Sequence, residues 1–274
     1  MKGKGRPVGL TIAGSDPSGG AGIQADLKTF HQHGVYGTSA LTLLTVQNTR
    51  SVAAVEVLRP EFVLAQIDAV LSDMHPAAAK TGALGSAGVV EVVARRMAEI
   101  EVPLVVDPVM ISKHGVALLP EDGRKALASR LLRRCFLVTP NLHEAEALAG
   151  TKIGDDASLR EAAVAIARLG PQAVLVKGGH VAGSAGVSSS SDREATDVLY
   201  YQEAFHSFRA ERISTDQTHG TGCTYSAAIT ANLALGHDLI AAVGAAKRYI
   251  TRAIRANPGL GRGLGPVNHH AEIT

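Results

Sequence analysis

The chain has 274 residues, of which 46% are hydrophobic and 19% are charged, and its formal net charge is +2. This length and composition suffice to bury the core of one large α/β domain, so we predict a single domain over residues 1–274. The near-balanced charge, the absence of Trp and an aromatic content of only 4% argue against a partner that is a nucleic acid or a membrane.

The predicted elements alternate between short apolar segments and longer amphipathic ones. In chain order they are a strand at 8–14, a helix at 22–33, a strand at 39–47, a helix at 60–74, a strand at 77–81, a helix at 87–100, a strand at 103–109, a helix at 121–132, a strand at 136–140, helices at 142–149 and 158–169, and a strand at 173–177. Strands that are apolar throughout and separated by helices are typical of a parallel sheet covered on both faces. The predicted fold is therefore a doubly wound, mainly parallel α/β sheet.

The pattern changes after Lys177. Residues 183–192 are rich in Gly and Ser, which predicts a mobile loop or a surface insertion. Residues 197–202 and 204–213 predict a small β-ribbon at the edge of the sheet, and helices are predicted at 221–235 and 239–257. We interpret the basic residues of the last helix as a solvated face: Lys247, Arg248, Arg252 and Arg255.

The two cysteines, Cys135 and Cys223, are far apart and form no CxxC pair. This spacing favours neither a disulfide framework nor a structural zinc site, and it is typical of a reducing cytoplasm. The first apolar run, at residues 8–13, is too short for the core of a signal peptide, and no later run is long enough to span a membrane. We therefore expect a cytoplasmic protein.

The segment His219-Gly220-Thr221-Gly222-Cys223 stands directly before a predicted helix. Glycine allows positive φ and close approach of a ligand, and a helix N-terminus offers unpaired N–H groups and a positive dipole end. This predicts a phosphate site that stabilises a transferred phosphoryl group. The same location predicts a lowered thiol pKa for Cys223. A simple helix cap with a buried cysteine is the alternative.

A second glycine-rich segment covers residues 13–22 between the first strand and the first helix. It does not have the GxGxxG spacing of dinucleotide-binding proteins, and the chain contains no P-loop GxxxxGK[ST]. The segment therefore predicts a turn that holds a substrate, with a purely structural turn as the alternative. The missing fingerprint argues against a nicotinamide-dependent oxidoreductase.

Polar side chains follow three of the predicted strands: Asp107, then Asn141 with Glu144, then Lys177. In open α/β sheets, ligands bind at the carboxyl ends of the strands. Asp107 and Glu144 fit Mg²⁺, directly or through water, and Lys177 fits the phosphates of a nucleotide. Each of these residues alone has a turn-forming or capping role as its alternative. None of the 11 histidines has metal-ligand spacing, and we expect four of them at the surface: His31, His33, His269 and His270.

These motifs together resemble the hydroxymethylpyrimidine/phosphomethylpyrimidine kinases of thiamine biosynthesis, a branch of the ribokinase-like superfamily. The resemblance covers residues 11–268 and rests on six segments: TIAGSDPSGGAGIQAD at 11–26, VQNT at 46–49, DPVM at 107–110, TPNL at 139–142 with Glu144, VKGGH at 176–180, and HGTGC at 219–223.

The resemblance implies a ribokinase-like fold and phosphorylation of a hydroxymethylpyrimidine, then of its monophosphate, with ATP and Mg²⁺. It implies an anion hole at Gly220, Thr221 and Gly222, with Cys223 as the base that accepts the hydroxyl proton. It assigns the substrate contacts to Gly14, Ala21, Asp26, Gln47 and Val109, the nucleotide contacts to Asn141, Lys177 and Thr221, and the metal to Asp107 and Glu144. It also implies a homodimer and a nucleotide-covering role for the loop at 183–192.

Two departures from the family affect the expected ring pocket, since Ala83 replaces a frequent Met and Thr45 replaces a frequent Val. Some relatives phosphorylate pyridoxal instead, and these often have a further Cys near the position of Ser112. Ser112 therefore favours the pyrimidine, with a pyridoxal kinase as the alternative. A non-catalytic binding module is disfavoured because Asp107, Glu144, Lys177 and Cys223 are all present.

Overall fold

The computed structural model describes residues 5–178 and 194–273, so the loop predicted at 183–192 lies outside the described residues. Nine strands in these residues form one sheet in the order β3-β2-β1-β4-β5-β6-β7-β8-β9. The strands are β1 (Val8–Ser15), β2 (Tyr36–Gln47), β3 (Val52–Val57), β4 (Ala78–Thr81), β5 (Leu104–Val106), β6 (Leu137–Val138), β7 (Ala173–Val176), β8 (Glu194–Tyr201) and β9 (Ala204–Glu211). Strands β2, β1, β4, β5, β6 and β7 are parallel, whereas β3, β8 and β9 pair antiparallel at the two edges.

Helices cover both faces of the sheet. They are α1 (Gly22–Gln32), α2 (Pro60–Asp73), α3 (Ala87–Met97), α4 (Glu121–Ala126), α5 (Leu142–Ala149), α6 (Asp156–Ala167), α7 (Thr221–Ala234) and α8 (Leu239–Arg255). Buried apolar residues form one core between the sheet and α2 to α6 and a second core between the sheet and α1, α7 and α8. Within the described ranges, no helix is long and apolar enough to cross a bilayer.

The predicted doubly wound sheet with an edge ribbon is confirmed, and most element boundaries lie within a few residues of the prediction. Strand β3 was missed because it is a half-exposed edge strand without a continuous apolar run. It follows a turn in which Asn48 Oδ1 accepts hydrogen bonds from the N–H groups of Arg50 and Ser51. The helix predicted at 121–132 is shorter as an α-helix, because it changes to a π-helical turn at Leu127–Leu131 and a 3₁₀ turn at Leu132–Arg134.

Three side chains that we expected at the surface are buried. Lys247 lies inside α8's packed face, where its Nζ is 2.7 Å from Asp197 Oδ2, so it is not part of a solvated face. His33 and His269 contact Tyr249 from two sides: the His33 ring packs edge-on against it, and the Tyr249 hydroxyl donates to the His269 carbonyl. Helical periodicity places a residue on a face, but burial of polar residues depends on partners that are remote in sequence.

Candidate active site

Asp16 organises the glycine-rich turn between β1 and α1. Its Oδ1 accepts hydrogen bonds from the Ser18 backbone N–H at 2.9 Å and the Ser18 hydroxyl at 2.7 Å, and its Oδ2 accepts from the Ala21 N–H at 2.8 Å. Gly22 closes the turn with φ +57°, and a Cβ there would collide with the Gly14 carbonyl. The turn is thus held around one buried carboxylate.

The same carboxylate connects this turn to the segment before α7. His219 Nε2 lies 2.7 Å from Asp16 Oδ2, although the two residues are 203 positions apart. Burial by itself would raise the pKa of Asp16, but the hydrogen bonds from His219 and Ser18 outweigh it and lower the pKa to about 2. Gln47, at the end of β2, also lies beside the His219 ring. Asp16 is therefore ionised and joins both glycine-rich segments.

The segment before α7 is a tight glycine turn that leads into an uncapped helix end. Gly220 has φ +77° and packs so closely on the Gly20 carbonyl that no Cβ fits there. Helix α7 then begins at Thr221, and no side chain caps it. The first-turn N–H groups of Gly222 and Cys223 have no intrahelical acceptor and point out of the helix end. They provide donors and a positive dipole end for an anion.

Cys223 lies in the first turn of α7 and is only partly exposed. The predicted lowering of its thiol pKa is wrong. Burial raises the pKa of Cys223 to about 12, and this effect outweighs the Lys80 ammonium and the Gly22 N–H, which both favour the thiolate. The Asp26 and Asp107 carboxylates raise the pKa of this thiol in the same direction as burial. The ligand-free site therefore holds a protonated thiol at neutral pH.

An ion pair between Asp26 and Lys80 lies in the interior next to this thiol. Lys80 Nζ is 2.8 Å from Asp26 Oδ1, the Thr11 hydroxyl donates to Asp26 Oδ2 at 2.6 Å, and both charged side chains are fully buried. The Asp26 carboxylate is engaged by these partners, and the substrate contact at Asp26 stays a prediction. Asp26 also holds the lysine whose charge favours the Cys223 thiolate.

Lys177 and Asp107 meet at the carboxyl ends of β7 and β5. Lys177 Nζ lies 2.8 Å from Asp107 Oδ1, and the Thr139 hydroxyl lies 3.4 Å from the same oxygen. A Cβ placed at Gly222 would be 3.3 Å from Lys177 Nζ and 3.7 Å from Asp107 Oδ2. The ion pair therefore directly adjoins the first turn of α7. The absence of a side chain at Gly222 leaves space between the pair and the anion-binding N–H groups.

Asn141 and Glu144 form a capping box at the start of α5. The Asn141 side chain accepts from the Glu144 N–H at 2.9 Å, and Glu144 Oε2 accepts from the Asn141 N–H at 2.9 Å. Burial raises the pKa of Glu144, the Lys177 ammonium opposes this and the Asp107 carboxylate adds to it, and the resulting pKa is about 7. The electrostatic interaction of the Asp107 and Glu144 carboxylates favours a cation, and this donor pair fits Mg²⁺, which takes its other ligands from phosphate and water. Across the described ranges, no group of three or more His, Cys, Asp or Glu forms a metal site.

The predicted substrate residues other than Asp26 lie in two places. Ala21 and Gln47 contact the Asp16–His219 pair, and the Gly14 carbonyl packs against Gly22 in the same turn. Val109 follows Asp107, and its N–H donates to the Asp107 carbonyl at 2.8 Å. Asp16, Lys80 and His219 were not predicted as site residues. The sequence contains a signal for two of them, since each stands inside a glycine-rich segment, but no local signal marks Lys80 within its apolar strand.

The chain resembles characterised kinases over nearly its whole length. A sequence model of the family described as phosphomethylpyrimidine kinase matches residues 16–268. A hydroxymethylpyrimidine/phosphomethylpyrimidine kinase from Synechococcus elongatus is 47% identical over 263 residues, which are 96% of this chain and 97% of that protein. The structure of an ADP complex of Bacillus subtilis pyridoxal kinase has a TM-score of 0.86 and 37% identity, over 97% of this chain and 98% of that chain. A phosphomethylpyrimidine kinase from Clostridium difficile has a TM-score of 0.78 and 41% identity, over 91% of this chain and 100% of that chain.

Proposed function

The chain belongs to the phosphomethylpyrimidine kinase family, and we propose that its two glycine-rich segments hold the substrate and the transferred phosphoryl group in a two-step reaction of thiamine biosynthesis. In the first step, ATP phosphorylates the hydroxymethyl oxygen of 4-amino-5-hydroxymethyl-2-methylpyrimidine. In the second step, the resulting monophosphate is the acceptor and becomes the diphosphate. Both steps transfer the γ-phosphoryl group in line, which relies on positioning and electrostatic stabilisation.

The observation that carries this proposal is the contact between the Lys177–Asp107 pair and the first turn of α7. It brings a cation, a carboxylate and free N–H groups to one place at the carboxyl edge of the sheet. The free N–H groups of Gly222 and Cys223 would stabilise charge on the transferred group, within the anion hole predicted at Gly220, Thr221 and Gly222. Lys177, with Asn141 and Thr221, would bind the nucleotide phosphates. Asp107 and Glu144 would hold Mg²⁺, directly or through water, and the ion would neutralise charge on the phosphates.

Cys223 is the proposed acceptor of the hydroxyl proton. A thiol accepts a proton only as the thiolate, and burial keeps most of the ligand-free protein in the thiol form. The active form is then the minor thiolate form, which the Lys80 ammonium and the Gly22 N–H stabilise. Activity that increases with pH above neutrality follows from this assignment.

A pyridoxal kinase is the second candidate because the similar solved structures include pyridoxal kinases. Pyridoxal also has a hydroxymethyl group on an aromatic ring, so the same anion hole and base serve both substrates. Ser112, in place of the Cys that many pyridoxal-phosphorylating relatives have, favours the pyrimidine. A homodimer, a cytoplasmic location and a role for Gly14, Ala21 and Val109 in binding the ring belong to the same proposal.

The test is an ATP-consumption assay with the purified protein and Mg²⁺, run in parallel with hydroxymethylpyrimidine, its monophosphate and pyridoxal. Mass spectrometry of the products identifies which acceptor gained phosphate. We expect the highest kcat/KM with the pyrimidine and diphosphate formation from its monophosphate. A preference for pyridoxal would support the second candidate, and ATP consumption with none of the three would contradict both. Removal of Mg²⁺ with a chelator should abolish turnover, and added Mg²⁺ should restore it.

A further inference from the structure

The start of α7 is held in place from outside the helix. A helix is commonly capped by a side-chain oxygen at its N-cap, but the N-cap of α7 is Gly220, and none of the side chains that the structure describes caps it. The first-turn N–H groups are thereby left free for an anion, and their position has to be fixed by other contacts. Residues 265–269, which follow α8 and which we name the support segment, make these contacts.

The support segment pairs with His219, immediately before the anion hole. The His219 N–H donates to the Gly265 carbonyl at 3.0 Å, and the Val267 N–H donates to the His219 carbonyl at 3.3 Å. These two bonds form a parallel bridge between His219 and Pro266. A Cβ placed at Gly20 would be 3.1 Å from Pro266 Cβ, so the segment also packs against the other glycine-rich turn. The support segment thus satisfies both backbone groups of His219.

The support segment also contacts α7 immediately after the anion hole. Thr224 is the fourth residue of α7 and follows Cys223 directly. Its hydroxyl oxygen lies 3.1 Å from His269 Nε2, and both side chains are buried. The anion hole is therefore held on both sides by one segment, through the backbone of His219 and through the side chain of Thr224.

Helix α8 fixes His269 in turn. The Tyr249 hydroxyl donates to the His269 carbonyl at 2.9 Å, and the Asn268 N–H donates to the Ala253 carbonyl at 2.9 Å. The Tyr249 and Val267 side chains are also buried. His269 therefore reaches Thr224 from a packed and hydrogen-bonded backbone, which restricts the movement of the first turn of α7.

We propose that His269 is a positioning residue for phosphoryl transfer, which holds the first turn of α7 through Thr224 so that its free N–H groups point at the transferred group. This inference rests on the proposed function, because it assigns a supporting contact to the anion hole of that reaction. His269 itself touches neither the substrate nor the phosphates. The anion hole acts on charge that develops in the transition state, so a displaced first turn should lower kcat more than it changes KM.

The experiment uses variants that differ in the Thr224 hydroxyl or in its partner. Thr224→Val replaces the hydroxyl by a methyl group, and Thr224→Ala lacks the hydroxyl that Thr224→Ser retains. His269→Leu removes the partner ring, and Thr224→Val/His269→Leu removes both groups. Thr230→Val is the matched control, because the Thr230 hydroxyl is also buried in α7 but donates to the Ser226 carbonyl of the same helix at 2.8 Å.

Three quantities are measured for each protein. Steady-state assays with Mg²⁺ give kcat and the KM values for ATP and for hydroxymethylpyrimidine. Calorimetry gives the Kd of orthovanadate in the presence of ADP and Mg²⁺, in which vanadate occupies the place of the transferred phosphoryl group and no turnover is required. Thermal unfolding shows which variants are folded at the assay temperature.

We expect Thr224→Val and His269→Leu each to lower kcat about tenfold and to change each KM by less than about threefold, because misplaced donors weaken the transition state more than the bound substrates. Orthovanadate should bind about tenfold more weakly to both variants. The double variant should lose no more than the weaker single variant, because both substitutions break the same hydrogen bond. Thr224→Ser should have a kcat about tenfold higher than that of Thr224→Ala, and Thr230→Val should keep kcat within about twofold.

A normal kcat and normal vanadate binding in Thr224→Val would overturn the inference, and so would an equal loss in Thr230→Val. Multiplied losses in the double variant would also overturn it, because the two side chains would then act independently. If Thr224→Val does not fold, the comparison of Thr224→Ser with Thr224→Ala decides in the same way. A natural protein that phosphorylates none of the three acceptors would instead contradict the proposed function, so the two failures are distinguishable.

Discussion

Lys80 and Asp26 form a completely buried ion pair in the layer next to Cys223, with 2.8 Å between Nζ and Oδ1. Burial raises the pKa of the Asp26 carboxyl. Burial by itself would lower the pKa of the Lys80 ammonium, but the negative charge of Asp26 opposes this effect and the pKa of Lys80 is raised. Both charges therefore persist only because they are paired, and removal of one leaves the other without compensation.

Lys80→Met should destabilise the protein by about 3–5 kcal/mol, because Asp26 would remain buried without a counter-charge. The double variant Lys80→Met/Asp26→Leu should be less destabilised than the single variant, since it removes both charges. Urea denaturation measures both changes. Lys125→Met, which disrupts the exposed Lys125–Glu121 pair, is the control and should leave the unfolding midpoint almost unchanged. Equal stability of Lys80→Met and the natural protein would show that the pair is not required for folding.

Cys223→Ala should lower kcat at least about 100-fold and change KM for ATP by less than about threefold, because only the proton acceptor is lost. Cys223→Asp should restore part of the activity and remove the increase of kcat with pH above neutrality, since a carboxylate is already ionised there. Steady-state kinetics between pH 6 and 9.5 measure both effects. Near-normal turnover of Cys223→Ala would remove Cys223 from the proton-transfer role.

Gly220→Ala should abolish activity and destabilise the protein by more than about 2 kcal/mol, because the new Cβ would meet the Gly20 carbonyl in addition to the strain of positive φ. Gly236→Ala is the matched control, because Gly236 has φ +87° but nothing lies near its Cβ position. The control should lose only about 1 kcal/mol and keep normal kcat. Thermal unfolding and the ATP assay separate the two effects. Similar losses in both variants would mean that backbone conformation alone, and not the contact between the two segments, matters at Gly220.

His269 should make the stability of the protein depend on pH between about 4 and 6.5. Burial lowers the pKa of His269 to about 4 from an ordinary value of 6.5. The unfolded chain binds a proton at this residue in that range while the folded chain does not, so stability is complete above pH 6.5 and is lost as the pH falls toward 4. His269→Gln should reduce the stability difference between pH 7 and pH 4.5 by roughly 2 kcal/mol, as measured by urea denaturation. An unchanged difference would contradict the assignment.

Lys247→Met should destabilise the protein by about 3–5 kcal/mol, since Asp197 would be left buried and unpaired. Asp197 also accepts the Gly178 N–H at 2.7 Å, directly after Lys177, so KM for ATP should increase several-fold as well. The exposed neighbour Arg248 provides the control, and Arg248→Met should change neither quantity measurably. If the two variants behave alike, the Lys247–Asp197 pair contributes nothing measurable to stability or to ATP binding.

The parallel part of the fold could be predicted from the sequence because most central strands are largely apolar and most helices have an amphipathic period. The edge strand β3 was not predicted, since its half-exposed residues form no continuous apolar run. In the site, the glycine-rich segments were visible because glycine and a following helix form a local signal. The role of Lys80 could not be predicted, because a lysine in an apolar strand has no local sequence signal and its partner Asp26 is brought to it only by the fold.

The sequence by itself determined the alternation of the central strands and helices, the two glycine-rich segments and the polar residues at the strand ends, because these features depend on neighbouring residues. Only the tertiary structure decided the electrostatics. Desolvation keeps Cys223 in the thiol form instead of the thiolate form. Lys80 forms a buried ion pair with Asp26, and His219 contacts Asp16, which is 203 positions away in the sequence. The physical reason is that a pKa or the direction of a hydrogen bond depends on the groups that surround an atom in space, and the fold brings these together from distant parts of the chain.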